Sequence, residues 1–228
     1  LLMYMPMDVD YLDHSSNGFV PSPMDQTGTY VPDILPDGIV GSGSAACLTE
    51  HIVDQDPLND NTEPSRRGKC AIQYTPKLSV LPSTQFSYSV STWIRHDPNL
   101  HDDFTGGEAF WRISMIDSQN IVVGDIRLYW NQQLRTFWSI VSDFTVGNLG
   151  FLNAVSIPWT HTVVSITQDS TSQIIIKTYL NSTLVNTIQD CSICTTPSSQ
   201  IEWRVELFNG NSARSIYNSQ LDDFRLYD

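Results

Sequence analysis

Two adjacent carboxylates, Asp222 and Asp223, stand in the closing segment "LDDFRLYD". From Phe224 onward the segment alternates apolar and polar side chains, which is the period-two pattern of a β-strand. Two like charges side by side repel each other unless a positive group lies between or beside them. The doublet therefore points to a positive partner for at least one of the two acids.

A second pair of acids, Glu202 and Glu206 in "EWRVE", invites comparison with glycosidases. Residues four apart on a strand are separated by about 13 Å, whereas the two carboxyl groups of a glycosidase lie about 5–9.5 Å apart. The central residue is also Arg204 and not an acid. We interpret the stretch as an exposed Glu–Arg–Glu stripe with Trp203 and Val205 turned inward. With no better pair elsewhere, we predict that the chain is not an enzyme.

Other polar clusters fit metal or phosphate chemistry poorly. "RHDPNLHDDF", residues 95–104, combines His and Asp, but Pro98 and the lack of helical spacing favour a solvated acidic loop over a zinc site. "DQDPLNDN" fails as a calcium loop because Asn59 and Ser65 replace the required Gly and Glu. No G-x-S-x-G motif and no glycine-rich phosphate loop is present.

Aromatic side chains are numerous enough to suggest sugar stacking. Trp130, Trp138 and Tyr129 are candidate platforms for a glycan. The chain has six Trp, so packing in the core is the competing explanation for each of them.

The four cysteines are Cys47, Cys70, Cys191 and Cys194. Three pairings are possible, and local closure favours Cys47–Cys70 with Cys191–Cys194. A redox C-x-x-C expects a helix after "CSIC", where "TTPSSQ" stands instead, and a four-cysteine zinc site needs two C-x-x-C pairs. We predict two structural disulfides and an oxidising compartment.

One glycosylation sequon, Asn181-Ser182-Thr183, lies in "YLNSTLV" between two β-rich runs. Its place at a predicted hairpin tip would leave a glycan in solvent. With the cysteines it favours an extracellular or cell-surface location.

The formal charge is −13, from 12 basic and 25 acidic side chains. Nucleic-acid binding requires a basic patch, so this balance argues against a nucleic-acid partner and against anionic membranes. No apolar run approaches the roughly 20 residues that span a bilayer. "LLMYMPM" lacks the pattern of a signal peptide and the first residue is not Met, so we interpret the chain as a processed product or a piece of a larger protein.

Strand patterns recur along the chain with almost no helical periodicity. "FSYSVSTWIR" directs Val90 and Ile94 to one face, and "AFWRISMID" does the same with Trp111 and Ile113. About a dozen such segments predict an all-β fold of two antiparallel sheets packed face to face. The N-terminal third is loop-rich, and residues 48–70 look like a polar insertion stapled at its base by the Cys47–Cys70 disulfide. We expect a single domain over residues 1–228.

Four stretches resemble, in order, the laminin-G-like (concanavalin A-like) jelly-roll modules. "LLMYMPMDVDYLDHSSNGF" is similar to their opening strand and turn, and "FSYSVSTWIR" to F-T-V-S-x-W-V. "WTHTVVSITQDSTSQIIIKTYLNSTLV" is similar to W-x-H-V-A-V-T with its hairpin, and "LDDFRLYD" to I-D-D-V-R-I-Y. The resemblance covers the chain from end to end and implies a jelly-roll sandwich, while Asn181-Ser182 departs from the usual Asn-Gly tip.

The resemblance implies a calcium site. In such modules the first and last strands lie close together, and many members bind Ca²⁺ near that place. The implied ligands are Asp13 and Asp222 by side chain and Asn17 by carbonyl, since calcium takes six to eight oxygens. The competing interpretation is a turn cap beside a solvated Asp223.

These observations favour a secreted or cell-surface, non-catalytic module for adhesion or extracellular structural assembly. Its partners would be other extracellular proteins or copies of itself. A lectin-like carbohydrate-binding domain is the first alternative, and an unusual glycoside hydrolase is the second. Fold resemblance alone does not choose among them.

Overall fold

The structure is a computed structural model. It describes residues 1–23, 32–41, 43–47, 72–74, 87–96, 108–116, 119, 122–130, 134–140, 143–148, 157–168, 174–190, 202–208 and 219–228. The predicted insertion at 48–70 lies outside these residues.

The described residues form β-strands and no helix. Their bounds are β1 Met3–Met5, β2 Ser22–Pro23, β3 Asp33–Leu35, β4 Ser44–Cys47, β5 Ile72–Tyr74, β6 Ser87–His96, β7 Glu108–Ile116, β8 Val122–Trp130, β9 Leu134–Ile140, β10 Asp143–Asn148, β11 Ile157–Gln168, β12 Ile174–Leu180, β13 Thr183–Asp190, β14 Glu202–Leu207 and β15 Ser219–Tyr227.

The strands form two antiparallel sheets. Sheet A has the order β13-β12-β11-β6-β15-β4-β3, with β1 also paired to β15. Sheet B has the order β10-β9-β8-β7-β14-β5-β2. The predicted all-β sandwich of jelly-roll type is confirmed.

The two ends of the chain meet in sheet A. Met3 pairs with Leu226 and Met5 with Phe224 in an antiparallel register. The N-terminal ammonium also lies 3.6 Å from the Asp228 carboxylate. This adjacency is the one that the family resemblance implies for the opening and closing strands.

The core lies between the sheets and follows the alternation of the strands. Val90 and Ile94 of β6 are buried, as are Trp111 and Ile113 of β7, so the predicted inward positions are confirmed. Each buried aliphatic or aromatic side chain contributes about 1.5–3 kcal/mol relative to full exposure. Alternation also fixes which residues lie on the outer face of each sheet.

A hydrogen bond between hydroxyls crosses the core. Thr136 Oγ1 of β9 and Thr178 Oγ1 of β12 lie 2.8 Å apart, and both residues are fully buried. Because β9 belongs to sheet B and β12 to sheet A, this bond joins the two layers.

A β-bulge explains the Asp222–Asp223 doublet. Asp222 pairs with Trp93 and Arg225 with Ser91, so one extra residue is accommodated between them. Asp223 has φ = 51°, the left-handed conformation that Asp and Asn tolerate better than most residues. Both carboxylates are buried, so the competing interpretation of a solvated Asp223 is wrong. Its positive partner is Arg225, whose Nη2 lies 2.8 Å away.

The hairpin between β12 and β13 turns on two residues. Leu180 pairs with Thr183, and both Asn181 (φ = 47°) and Ser182 (φ = 69°) have positive φ. Two positive φ angles are the signature of a type I′ turn, which matches the twist of the flanking strands. The turn therefore keeps its usual geometry without the usual glycine.

Candidate functional site

Both carboxylate oxygens of Asp13 accept hydrogen bonds within the opening segment of the chain. Oδ1 accepts bonds from the backbone N–H of Tyr4 and Ser15, each at 2.9 Å. Oδ2 accepts from the Ser15 hydroxyl at 2.8 Å and from the Phe19 N–H at 2.9 Å. Four donors thus contact the carboxylate and close the turn.

Asp222 accepts hydrogen bonds from a different segment, the loop between β3 and β4. Its Oδ2 accepts bonds from the N–H groups of Ile39 and Val40, at 2.7 and 2.8 Å. Its Oδ1 is buried and has no hydrogen-bond partner. Burial raises the pKa of this carboxyl, and the two backbone donors oppose that rise. A Cβ at Gly38 would lie 3.0 Å from Oδ2 and would also strike the Gly43 backbone, so the loop approaches Asp222 closely because Gly38 has no side chain.

The structure does not bring Asp13 and Asp222 into one hydrogen-bonded group. Asn17 donates from Nδ2 to the Leu2 carbonyl at 2.7 Å and stays with the opening turn. Among the described residues, no three His, Cys, Asp or Glu side chains are grouped closely enough to hold a metal ion. The calcium site at Asp13, Asn17 and Asp222 stays a prediction, and its two carboxylates already have protein donors.

Other predicted site residues have separate outcomes. Both disulfides stay predictions, because the structure describes none of the four cysteine side chains. The backbone of Cys47 ends β4, and the other three are Cys70, Cys191 and Cys194. Asn181 is exposed at the hairpin tip, and its Oδ1 accepts a bond from the His161 N–H at 3.0 Å.

Of the three candidate stacking residues, Tyr129 is the one whose side chain the structure describes. Tyr129 is 8% exposed, and the side chains of Trp130 and Trp138 lie outside the described part of the chain. His161 is a packed strand residue: its Nε2 lies 2.9 Å from the Ser91 hydroxyl and its ring packs on Trp93 at 5.0 Å. Burial lowers the pKa of His161.

A group of charged residues lies on the outer face of sheet B, on neighbouring strands. We name the arginine cluster by its described side chains: Arg112 and Ser114 of β7, Asp125 and Arg127 of β8, Arg135 of β9, and Arg204 and Glu206 of β14. Each alternates with a residue of the buried core, such as Ile113, Ile126 or Val205, and so faces away from sheet A.

The strand register sets these residues side by side. Arg112 lies opposite Arg127 on one flank and opposite Glu206 on the other. Ser114 lies opposite Asp125 and Arg204. Directly opposite residues have Cβ atoms about 4.5–5.5 Å apart, so charges at these positions interact strongly.

Asp125 holds two guanidinium groups. Arg112 Nε lies 2.6 Å and Arg127 Nη2 3.0 Å from the same oxygen, Oδ2. Arg112 Nη1 is also 3.6 Å from Glu206 Oε2. Burial lowers the pKa of Arg127 and Asp125 opposes that shift, but an arginine remains charged at neutral pH. Asp125 therefore fixes the orientations of the Arg112 and Arg127 guanidinium groups.

Ser114 adds a neutral group to the cluster. It is fully buried and its hydroxyl has no hydrogen-bond partner in the structure. A buried hydroxyl without a partner costs about 1–3 kcal/mol.

The sequence interpretation of "EWRVE" as an exposed stripe is wrong. Glu206 is 3% exposed and Arg204 is half-buried, although Val205 does face the core. A signal for the cluster was present: Arg112, Arg127 and Arg204 each stand between apolar residues of a strand in an acidic chain. Periodicity assigns each of these arginines to the polar face of its strand but does not say which strands are neighbours.

No family model matches this chain, and no curated protein matches it either. Solved structures share its fold. An endo-β-1,4-glucuronan lyase from the fungus Trichoderma reesei is 10% identical, with a TM-score of 0.57 over 94% of this chain and 93% of that one. The receptor-binding domain of botulinum neurotoxin type G is 12% identical, with a TM-score of 0.52 over 100% of this chain.

A botulinum neurotoxin type C structure, whose cell entry depends on two ganglioside molecules, is 12% identical, with a TM-score of 0.53. This chain spans about half the length of the type G and type C structures, 47% of each. At such identities the likeness shows the β-sandwich fold alone.

The glucuronan lyase corrects the prediction that this chain is not an enzyme. That prediction rested on the lack of a recognisable catalytic pair in the sequence. An enzyme shares this fold over nearly the whole chain, so the lack of a recognisable glycosidase pair does not exclude catalysis. Enzymatic activity of this chain is not established by a match of 10% identity, and turnover has to be measured.

Proposed function

We propose that the chain is a carbohydrate-binding β-sandwich that holds its glycan on the outer face of sheet B, at the arginine cluster. The observation that carries this is the placement of basic side chains. Four of the chain's 12 Lys and Arg residues lie on this one face, in a protein of net charge −13. A solvated acidic surface offers no reason for such a concentration.

The cluster has the chemistry that a sugar requires. Guanidinium groups donate hydrogen bonds to sugar oxygens, and Asp125 and Glu206 accept them from sugar hydroxyls. Arg112 is the most exposed member of these ion pairs, with 21% of its side chain accessible. Because Asp125 and Glu206 hold it in place, little side-chain entropy is lost when it contacts a ligand.

The fold neighbours support a carbohydrate ligand at a coarse level. One is a lyase of glucuronan, a polysaccharide, and another depends for cell entry on gangliosides, which are sugar-bearing lipids. The order of the motifs supports a laminin-G-like module in particular. Adhesion or structural assembly would be a consequence of glycan binding, and no contact among the described residues favours it separately.

An extracellular location is part of the same proposal. The even number of cysteines and the exposed sequon at Asn181 support it. In the described part of the chain, there is no helix with the length and apolar character to cross a membrane.

A glycan array followed by titration of the best ligand tests the function. Arg112→Gln removes the guanidinium that contacts both Asp125 and Glu206, and should weaken binding at least about tenfold, since a charge-assisted hydrogen bond contributes about 1.5–3 kcal/mol. Arg225→Gln is the matched control: Arg225 is also paired to an aspartate, but it lies on sheet A.

Melting curves of both variants should show that they are folded. Absence of any glycan binding, or loss with Arg225→Gln and not with Arg112→Gln, would contradict the assignment. Incubation of the bound polysaccharide with wild-type protein, followed by analysis of its chain length, then determines whether binding is accompanied by turnover.

A further inference from the structure

We infer that the first sugar of a glycan on Asn181 packs against the Tyr179 ring, so that the β12–β13 hairpin is a built glycosylation site. The site lies at the end of sheet A and does not depend on the arginine cluster of sheet B. The inference goes beyond the sequon, which names the acceptor residue but not the surface that the sugar contacts.

The Asn181 amide leaves its nitrogen available for the sugar. Asn181 is exposed, its Oδ1 accepts the His161 N–H at 3.0 Å, and its own N–H donates to the His161 carbonyl at 2.9 Å. Nδ2 has no hydrogen-bond partner among the described residues. Because Oδ1 is held on β11, the direction of Nδ2 is fixed as well. Glycosylation at Nδ2 keeps the carbonyl oxygen and therefore keeps the bond to His161.

The covalent step needs this nitrogen and an oligosaccharide linked to a diphosphate lipid. The bond from Nδ2 to the anomeric carbon forms, the bond from that carbon to the diphosphate breaks, and Nδ2 loses one proton. Ser182 and Thr183 are exposed as well as Asn181, so the whole sequon is accessible.

Tyr179 lies on the same side of the hairpin as the acceptor. Side chains two apart along a strand point to the same face, and Leu180, between Tyr179 and Asn181, packs against the core instead. Asn181 is also bonded to His161, an outer-face residue whose two neighbours in β11 are buried. Tyr179 is half-buried, so part of its ring is open to a sugar.

Leu184 enlarges the apolar surface beside Asn181. It lies directly opposite Tyr179 in the register of β12 and β13, and 49% of it is exposed. Directly opposite residues have Cβ atoms about 4.5–5.5 Å apart, so Tyr179 and Leu184 form one apolar patch. The C–H face of a pyranose is apolar and can cover this patch, which gives a reason for an exposed leucine at a hairpin tip.

The turn fixes the acceptor relative to the patch. Asn181 and Ser182 have φ angles of 47° and 69°, the type I′ geometry, and Leu180 pairs with Thr183 directly across the turn. A two-residue turn between paired strands has little freedom to lose. A contact between the first sugar and Tyr179 therefore has a small entropic cost.

The test is a double-mutant cycle on the full chain, secreted from a eukaryotic host. The four proteins are the wild type, Thr183→Ala, Tyr179→Thr and the double variant. Thr183→Ala removes the sequon but keeps Asn181. Mass spectrometry measures occupancy at Asn181, and thermal unfolding measures Tm. The occupied wild type should melt about 2–4 °C above Thr183→Ala, and Tyr179→Thr should abolish most of that difference.

Tyr227→Thr is the matched control. Tyr227 is also a half-buried tyrosine of sheet A, but it lies on β15, which β11 and β6 separate from β12. Its replacement should leave the glycan-dependent difference in Tm unchanged. Leu184→Thr, at an exposed position, should reduce that difference. Trimming the glycan to its first sugar with an endoglycosidase should retain it, because this sugar makes the contact.

Three outcomes would overturn the inference. An unmodified Asn181 in the secreted wild type would show that the hairpin is not a glycosylation site. Occupancy with equal Tm for the wild type and Thr183→Ala would show that the sugar does not pack on the protein. A difference that survives Tyr179→Thr, or is lost on trimming, would exclude contact between Tyr179 and the first sugar. Carbohydrate binding at the arginine cluster is tested separately by the Arg112→Gln titration.

Discussion

At the scale of single residues, Asp222 shows how a buried charge is retained. Its carboxylate is fully buried on the outer face of sheet A, and the loop that contains Ile39 and Val40 supplies two N–H donors to one oxygen. The other oxygen has no partner. Burial therefore opposes ionisation, and the backbone donors are what favour the carboxylate form.

Asp222→Ala should cost about 2–4 kcal/mol of unfolding free energy, because two buried N–H groups lose their acceptor. Asp222→Asn should cost less than half as much, since its amide oxygen still accepts both bonds. Urea denaturation of the two variants at neutral pH measures the difference. Equal losses would show that the two N–H groups find other acceptors and that the bonds to Oδ2 contribute little.

The same residue makes a prediction about pH. Burial raises the folded-state pKa of Asp222 above the ordinary value of 3.8, so the folded protein binds the proton more tightly than the unfolded chain does. Relative to Asp222→Asn, wild-type stability should therefore fall as the pH rises from below 3.8 through the folded pKa, and should level off above it. If the stability of the wild type relative to Asp222→Asn instead rises with pH, the folded-state pKa of Asp222 is lowered and the prediction is wrong.

At the scale of elements, the β12–β13 hairpin has a geometry that its residues do not favour. Ser182 has φ = 69°, which costs a non-glycine residue about 1–2 kcal/mol. Ser182→Gly should stabilise the protein by about 0.5–1 kcal/mol after the extra chain entropy of glycine is subtracted. It also keeps the sequon, since Asn181 and Thr183 are unchanged.

Gln189→Gly is the matched control for the hairpin. Gln189 is exposed within β13, where glycine should cost about 0.5–1 kcal/mol. Thermal or urea unfolding of both variants measures whether each substitution raises or lowers the free energy of unfolding. Destabilisation by Ser182→Gly would mean that the serine side chain contributes more than its backbone conformation costs.

At the scale of the whole molecule, the two sheets are joined by apolar packing and by the buried Thr136–Thr178 hydrogen bond. Thr136→Val alone strands the Thr178 hydroxyl in the core and should cost about 1–3 kcal/mol. The double variant Thr136→Val/Thr178→Val removes both hydroxyls and should recover most of that loss. A double-mutant cycle by denaturation measures the coupling, and additive losses would show that the two hydroxyls act independently.

Strand periodicity determined much of the fold from the sequence alone. Alternation placed Val90, Ile94, Trp111 and Ile113 correctly in the core, because one face of each strand must be apolar to be buried between two sheets. Local chemistry also located the hairpin tip at Asn181. The disulfides, the insertion at 48–70 and the calcium ion stay predictions.

The tertiary structure alone decided the candidate site. Arg112, Arg127, Arg135 and Arg204 belong to four strands that are distant in sequence, and only the order β9-β8-β7-β14 sets them side by side. Periodicity assigns a residue to a face but carries no information about which strand lies next to it. Likewise, the burial of Asp222 depends on a loop from the N-terminal third and on a bulge, both of which are long-range features. The sequence by itself determined the layers, and the strand order determined the chemistry on their outer faces.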